Sequence, residues 1–511
     1  MIVATSLDRC KSDVLVNLAG DLTALVRKAI REGASLDDLE RGAFGLVLDM
    51  GRSAVDLFLK GQGDGDLGPE VSTEEGTVLQ RSETVVERPL RTIFGEHVVE
   101  EYVYSQGIKK KIELRPIDAR INLPEGKASY LLQEFTQLFC VEKAFGVGAR
   151  QFATVFEQKL SVDVLEDINR AMGEQADRFL DQLPTPPVCK EGAILVATAD
   201  GKGVPLVKED AQKVPAFDKK ERPGNRRMAT LGCVYTVDPF VRTAEQVVAA
   251  LFRDDTVPQP AKRPEACFKH YRAFFAEPVQ EGKDALPSAY QTWTWIGQEA
   301  KTRHQVGQPI VRLMDGQPSL WDASDACLDE WATELREGGQ SQALVDILDI
   351  LHVSGYVWKV AKVFYSHKEQ QEAFAQERLL RILRGEVAAV ITGMRRMASL
   401  RNIKGEALKT VRTACNYFEN NAHRMRYDEY LKAGYPIASG VIEGACRHVI
   451  KDRMEQGGMR WTLNGAKAML NVRSVLASSE SKTFSQWRQT EGAKRVHPHR
   501  ALLETFYVLV A

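Results

Sequence analysis

The sequence predicts a mixed α/β protein. Its core sets short buried strands among helices and is interrupted by an all-helical insertion. A mainly helical N-terminal region with a small antiparallel β unit precedes it. Three observations lead there. Apolar runs at 193–199, 309–314 and 344–351 have the length of strands buried on both faces, and helical patterns lie between them. Residues 366–432 read almost wholly as helix. Residues 87–115 alternate apolar and polar side chains in strand fashion.

In chain order, 1–60 is a helical region. Val14, Leu15, Leu18, Leu22, Leu25, Val26 and Ile30 share one face of a first helix over 11–31, and Ser35 caps a second that runs toward Leu59. The Gly/Asp-rich stretch opening at Gly61 makes 61–86 a linker. Residues 87–128 form the β unit, with a long strand over 90–104 and a turn at Gln106-Gly107. Residues 129–187 are helical, with a candidate helix-turn-helix near 152–163, and the Pro-rich 183–187 closes that region. The core occupies 188–365. Its first strand ends at Asp200, and a charged loop over 208–227 carries Lys219, Lys220, Arg222, Arg226 and Arg227. A strand pair at 228–237 and 240–243 turns at Asp238-Pro239. The second strand ends at Asp315, the third segment at His352, and a helix covers 354–365. The Pro-rich 256–287 carries no assignment. A core helix fills 433–478, and a basic segment closes the chain at 479–511.

The net charge is −1 over 511 residues, so any nucleic-acid surface must come from local segregation. Such segregation exists. Residues 377–432 hold twelve Lys/Arg against six Asp/Glu, and 447–500 hold eleven against four. The eight cysteines are scattered without a CxxC pair, which argues against a zinc ribbon or a disulfide framework and fits reduced thiols in a cytosol. No signal peptide or membrane span is expected. No Walker-type phosphate loop occurs, so no nucleotide cofactor is expected.

The chemistry-bearing residues are carboxylates. Asp200-Gly201 and Asp315-Gly316 each follow an apolar run, and functional groups of open α/β sheets collect at the carboxyl ends of strands. Glu443 sits in the first turn of a helix whose apolar stripe is Val441, Ile442, Cys446, Val449, Ile450 and Met454. The acids lie 115 and 128 residues apart, so only the fold can bring them together. Carboxylates so gathered repel one another unless cations neutralise them, and oxygen-only ligands select Mg²⁺ or Mn²⁺. Two such ions clamp the attacking and leaving oxygens of an in-line phosphoryl displacement. Read alone, an Asp-Gly pair is also an ordinary turn, and Glu443 is an ordinary helix N-terminal acid.

The stretches Ala-Thr-Ala-Asp-Gly-Lys-Gly-Val-Pro (197–205), Leu-Met-Asp-Gly-Gln-Pro-Ser-Leu-Trp (313–321), the basic segment 219–235 and the block from Gly440 to Trp461 resemble bacterial insertion-sequence transposases of the ISKra type. Thr-Ile-Phe-Gly-Glu (92–96) and Ile-Asn-Leu-Pro (121–124) are similar to that family's N-terminal half. The resemblance implies an RNase-H-like core with Asp200, Asp315 and Glu443 as catalytic acids and ligands of two Mg²⁺ (or Mn²⁺) ions. It implies cleavage and strand transfer at terminal inverted repeats, with double-stranded DNA as partner and target. A homodimer or larger assembly acting in the bacterial cytoplasm on nucleoid DNA follows from the need to pair two ends. Lys202, Arg226, Arg227, Arg447, Lys451, Arg453, Arg460 and Trp461 are the implied DNA contacts. Asp349 and His352 resemble a supporting Asp-x-x-His motif; Asp349 competes with Asp315 as a ligand, and His352 also reads as a core histidine. The Cys pair that many relatives carry before Thr92 is missing, which argues against a zinc module. A nuclease on the same fold without strand transfer, and a domesticated DNA-binding protein, are the rival readings.

Overall fold

The computed structural model describes residues 4–107, 109–216, 224–258, 262–279, 285–339 and 344–503, with side chains from residue 14 onward. The expected cationic residues Lys219, Lys220 and Arg222 lie outside the described residues. Internal contacts divide the chain into Met1–Gln175 with Lys482–Ala511, and Ala176–Ser481. The division thus falls before the Pro-rich 183–187, and the C-terminal segment belongs with the N-terminal region.

In the first unit, α1 (Ala4–Glu32) and α2 (Leu36–Lys60) form a hairpin. The Ser35 hydroxyl caps α2 by accepting from the Asp38 N–H. Leu59 and Val55 of α2 pack with Leu90, Val99, Ile117 and Leu123. Strands β1 (Glu70–Ser72), β2 (Val78–Arg81), β5 (Tyr104–Ser105) and β6 (Ile112–Leu114) make an antiparallel sheet, and β3 (Val86–Thr92) pairs with β4 (Gly95–Glu101) as a separate hairpin. Two corrections follow. The expected linker 61–86 contains β1 and β2, which are too short to show a pattern. The expected single strand 90–104 folds back at Ile93-Phe94. That turn carries two large apolar residues, and its only turn signal is Gly95, at a φ of 138° that favours glycine.

The second unit is built on a five-stranded mixed sheet of order β11-β10-β7-β8-β9. Here β7 is Ile194–Pro205, β8 Arg226–Val237, β9 Cys267–Phe275, β10 Ile310–Met314 and β11 Leu344–Leu348. The first three form an antiparallel meander, while β10 and β11 run parallel to β7. Helices Ser288–Arg303 and Pro318–Glu337 cover one face, burying Trp293, Ile296, Leu320 and Trp321 against Leu195, Ala197, Val234 and Met314. The first of these helices lies so close that a Cβ on Gly232 of β8 would stand 2.7 Å from Thr292. The helix Leu463–Ala477 packs on β9.

Two expectations fail here. The partner of β8 is not 240–243 but β9, inside the stretch that carried no assignment. Its apolar pattern is broken by buried His270, bonded to Glu299, and buried Arg272, paired with Asp177 and Asp181. The first strand does not end at Asp200 either. It runs on to Pro205, because pairing with β8 continues as far as Arg226.

The expected insertion consists of helices Lys368–Leu383, Val387–Leu400, Gly405–Asn421 and Tyr427–Ala433. Tyr427 and Tyr430 tie it to β11 by donating to the carbonyls of Leu348 and Asp346. No helix among the described residues is long and apolar enough to cross a membrane.

Candidate active site

Strand register brings three aspartates level. Arg312 of β10 stands opposite Ala197 of β7, an offset of 115 residues. Carried three residues further, that offset sets Asp315 opposite Asp200. Between β10 and β11 the offset is 34 residues (Ile310 opposite Leu344), which sets Asp349 opposite Asp315. Adjacent strands lie about 4.8 Å apart, so the three acids form a row across the sheet. The Thr198 hydroxyl, donating to the Leu313 carbonyl, locks β7 to β10 just below the row.

Glu443 reaches the same place from another direction. It lies in the short helix Gly440–Ala445, which packs on β7 and β8. The Ser439 hydroxyl donates to Glu443 Oε1 (3.0 Å), and His352 Nδ1 stands 3.4 Å from that oxygen. The helix continues as a single π turn, Cys446–Lys451, which packs on β7. Past it, the chain returns to the tail of β7. The Trp461 N–H donates to the Pro205 carbonyl (3.1 Å), and the Val207 N–H donates to the Trp461 carbonyl (2.8 Å).

The acids differ in how their oxygens are used. Asp349 is fully buried, and all its hydrogen-bonding capacity is spent. One oxygen accepts the N–H groups of Leu351 and Ser439; the other accepts the His352 N–H and His352 Nδ1 at 2.7 Å. Asp349 thus caps the helix Ile350–Phe364, which begins before the expected 354, and anchors the residue just before the Glu443 helix. Burial works to raise its pKa, but the His352 bond and the backbone donors prevail and lower it. Asp200 accepts from its neighbour's Gly201 N–H, and Asp315 Oδ1 from the Gln317 N–H. No lysine or arginine among the described residues pairs with Asp200, Asp315 or Glu443. Burial pushes the Asp200 carboxyl up; bonds from Cys446 and Gly201 oppose the rise, and the Asp315 charge adds to it. Glu443 is likewise raised, by burial and then by the Asp349 charge. His352 is raised to about 9, first by its bond to Asp349 and further by the charges of Asp315 and Glu443. At neutral pH it is an imidazolium set among four carboxylates.

Asp349, His352 and Glu443 have ligand atoms within 4.8 Å of one another. Asp349 has no lone pair left for an ion, however, and His352 Nδ1 is engaged with it. Asp315 retains a carboxylate oxygen that takes no hydrogen bond from the described residues, and with Asp200 and Glu443, which likewise have no lysine or arginine partner among them, it makes an all-oxygen set suited to a hard divalent ion.

The expected DNA contacts divide by burial. Lys202 is half-buried, and Arg226, Arg447, Lys451 and Arg460 are exposed. Arg226 pairs with Glu455, and Arg447 stands 3.8 Å from Asp452. Three others are corrected. Arg227 is buried and donates to the carbonyls of Val214, Gly224 and Arg226. Arg453 is fully buried with its guanidinium 4.7 Å from the centre of the Trp461 ring, and Trp461 donates to the Met454 carbonyl. These groups serve the interior, where no phosphate or base reaches them.

Sequence reasoning missed two neighbours of the site. Tyr417, from the insertion, accepts the Gly316 N–H at its hydroxyl and stacks on Tyr356, and a Cβ on Gly316 would stand 2.3 Å from its ring. Cys446 is buried against Asp200. Its place one helical turn after Glu443 was the available signal; Tyr417, 101 residues after Gly316, offered none. The described cysteines are all free thiols. No protein-family model and no curated protein sequence matches this chain.

Proposed function

We propose that this protein is a DNA transposase of the insertion-sequence type. It cleaves phosphodiesters at the terminal inverted repeats of its element and joins the freed 3′-hydroxyl to target DNA. The observation that carries the reading is the row of Asp200 and Asp315 on adjacent strands, met by Glu443 from a helix 128 residues further on. The RNase-H-like core that the motif resemblance implies is supported by the strand order and directions of the second unit, an antiparallel meander extended by two parallel strands.

Asp200, Asp315 and Glu443 would hold the metal. Their fit to Mg²⁺ or Mn²⁺ rests on incompletely compensated charge: no lysine or arginine among the described residues pairs with them, His352 stands 3.4 Å from Glu443, and burial strains both Asp200 and Glu443 toward protonation. Two hard divalent ions, when bound, supply positive charge to the attacking and leaving oxygens of an in-line displacement. The chain's own residues do the rest. Asp349 fixes the entry of the Glu443 helix through Ser439, and protonated His352 keeps Glu443 oriented. Ser439 donates to Glu443 Oε1 and helps fix that carboxylate, which would take part in holding the ion. Exposed Arg226, Arg447, Lys451 and Arg460, with Lys202, supply the positive border that a DNA backbone requires. The insertion walls the site through Tyr417. Two DNA ends must be held at once, so the working form is a homodimer or larger, acting in the bacterial cytoplasm on nucleoid DNA.

The test is cleavage and joining of a terminal-repeat duplex in Mg²⁺. Asp200→Asn, Asp315→Asn and Glu443→Gln are each expected to abolish both products. Cutting without joining would establish the nuclease reading. DNA binding with no divalent-ion uptake by calorimetry would establish the DNA-binding protein without chemistry.

A further inference from the structure

β10 ends at Met314, so Asp315 stands one residue beyond its last paired position. The glycine that follows leaves the peptide between residues 315 and 316 wide rotational freedom. That peptide is nevertheless gripped at both poles. Its carbonyl, on Asp315, accepts the Trp321 indole N–H at 2.7 Å. Its N–H, on Gly316, donates to the Tyr417 hydroxyl at 3.1 Å. The insertion seats both grips. Tyr417 belongs to the helix Gly405–Asn421 and stacks on Tyr356 with ring centres 4.2 Å apart. Trp321 is almost fully buried, and Arg424, in the short turn after the same helix, places its guanidinium 3.8 Å from the centre of the Trp321 ring.

We infer that the helical insertion positions the second acid: Tyr417 and, through Trp321, Arg424 clamp the Asp315–Gly316 peptide and so set where the Asp315 carboxylate points. A planar peptide held at both poles has no rotation left. β10 fixes the nitrogen side of Asp315, and the clamp fixes its carbonyl carbon. The tetrahedral Cα then leaves its Cβ a single direction, and the Gln317 N–H on Oδ1 restrains the carboxylate itself. Packing of the insertion alone would ask only for the ring of Tyr417. Here the hydroxyl oxygen also meets the N–H next to the acid, and the missing Cβ of Gly316 is what gives the ring its room. Tyr417 is thus a positioning residue that acts through Asp315, and the seating of the insertion governs how tightly the acids take a divalent ion.

The inference rests on the metal site proposed above, and the experiment separates the two. Mn²⁺ uptake by the full-length protein without DNA is measured by isothermal titration calorimetry. Tyr417→Phe keeps the ring and its stack and removes the hydroxyl. It is expected to weaken Mn²⁺ binding about 10-fold, as the loss of a group that orients a ligand does. In cleavage of a terminal-repeat duplex it should raise the half-saturating Mg²⁺ concentration by the same factor, with the rate at saturating Mg²⁺ close to that of the wild type. Tyr430→Phe is the comparison. It removes another hydroxyl bond from insertion to core, on the Asp346 carbonyl, about 10 Å along β11 from the level of Asp349, and should leave Mn²⁺ binding unchanged. Wild-type affinity in Tyr417→Phe, or an equal weakening in Tyr430→Phe, overturns the inference and leaves the metal site standing. A wild type that takes up no Mn²⁺, or Asp315→Asn that takes it up as tightly, removes the metal site and the inference with it. Should Tyr417→Phe lose its helical circular dichroism, Gly316→Ala, whose Cβ displaces the ring, decides, and wild-type Mn²⁺ affinity there overturns the inference as well.

Discussion

Strands β10 and β11 lie side by side and each delivers an aspartate at the same level of the sheet, but Asp315 and Asp349 meet opposite environments. Asp349 is fully buried and accepts four hydrogen bonds, three from backbone N–H groups and one from His352. Asp315 is half-buried, with one oxygen accepting from Gln317 and the other unclaimed among the described residues. The difference separates an acid that holds the protein together from an acid that is available to a ligand. A carboxylate already satisfied by the fold contributes stability, and one left unsatisfied among other acids contributes affinity for cations.

Exchanging the two side chains for neutral ones should break the pair apart. Asp315→Asn is expected to lower Mg²⁺-dependent strand cleavage about a thousandfold or more, roughly 4 kcal/mol of transition-state stabilisation, measured on a terminal-repeat duplex. Its urea midpoint should stay level or rise, since a repulsion with Asp200 is removed. Asp349→Ala should do the reverse in kind. It strands the N–H groups of Leu351, His352 and Ser439 and costs about 3 kcal/mol of folding stability by urea denaturation. A destabilised Asp315 variant together with a stable Asp349 variant would erase the contrast. Gly316→Ala probes the wall beside Asp315. Its Cβ meets the Tyr417 ring, so about 2 kcal/mol of stability should be lost, and Tyr417→Leu should recover part of it.

The contrast also has a pH signature in metal-free protein. His352 is raised from 6.5 to about 9 by Asp349, so its contribution is complete below pH 6.5 and lost as pH rises through 9. With its side chain 42% exposed, solvent screening limits the effect to about 1 kcal/mol. Stability should fall between pH 6.5 and 9, and His352→Gln should flatten that slope. Asp349 is lowered, so its contribution is lost only in acid, as pH falls below about 4. The smallest expected effect concerns Cys446, which bonds the Asp200 carboxylate. Cys446→Ala should raise the Mg²⁺ concentration for half-maximal cleavage a few-fold, while Cys446→Ser, which keeps a donor, should not.

The sequence carried much of this region, and where it was silent the reason is specific. The buried strands β10 and β11 were legible because five consecutive apolar or sheltered residues admit few other structures. β9 was hidden because His270 and Arg272 are polar residues whose partners, Glu299, Asp177 and Asp181, lie on other elements. The end of β7 was misjudged because Gly201, Lys202 and Gly203 read as a turn until β8 is seen to pair with them. Asp200, Asp315 and Glu443 stood out through adjacent glycine, helix position and family resemblance. Nothing local revealed that the 115-residue gap between the first two equals a strand offset, because register is a property of pairs. The same limit explains Arg227, Arg453 and Trp461. A cation near an acidic site looks like a nucleic-acid ligand until its burial is known.

The backbone bonds between Trp461 and the tail of β7 have a bearing on how the protein is made. The strand with Asp200 emerges from the ribosome long before residue 461, whose backbone bonds complete its tail at Pro205 and Val207, and Glu443 comes only shortly before it. At about 5–20 residues per second, that interval lasts roughly 13–50 seconds. Until Glu443 is made, the nascent chain holds one or two acids of an unfinished set. On the proposed function, a message broken anywhere in that stretch yields a product unable to cut, and the host chromosome is shielded from partial translation by the order in which the parts arrive.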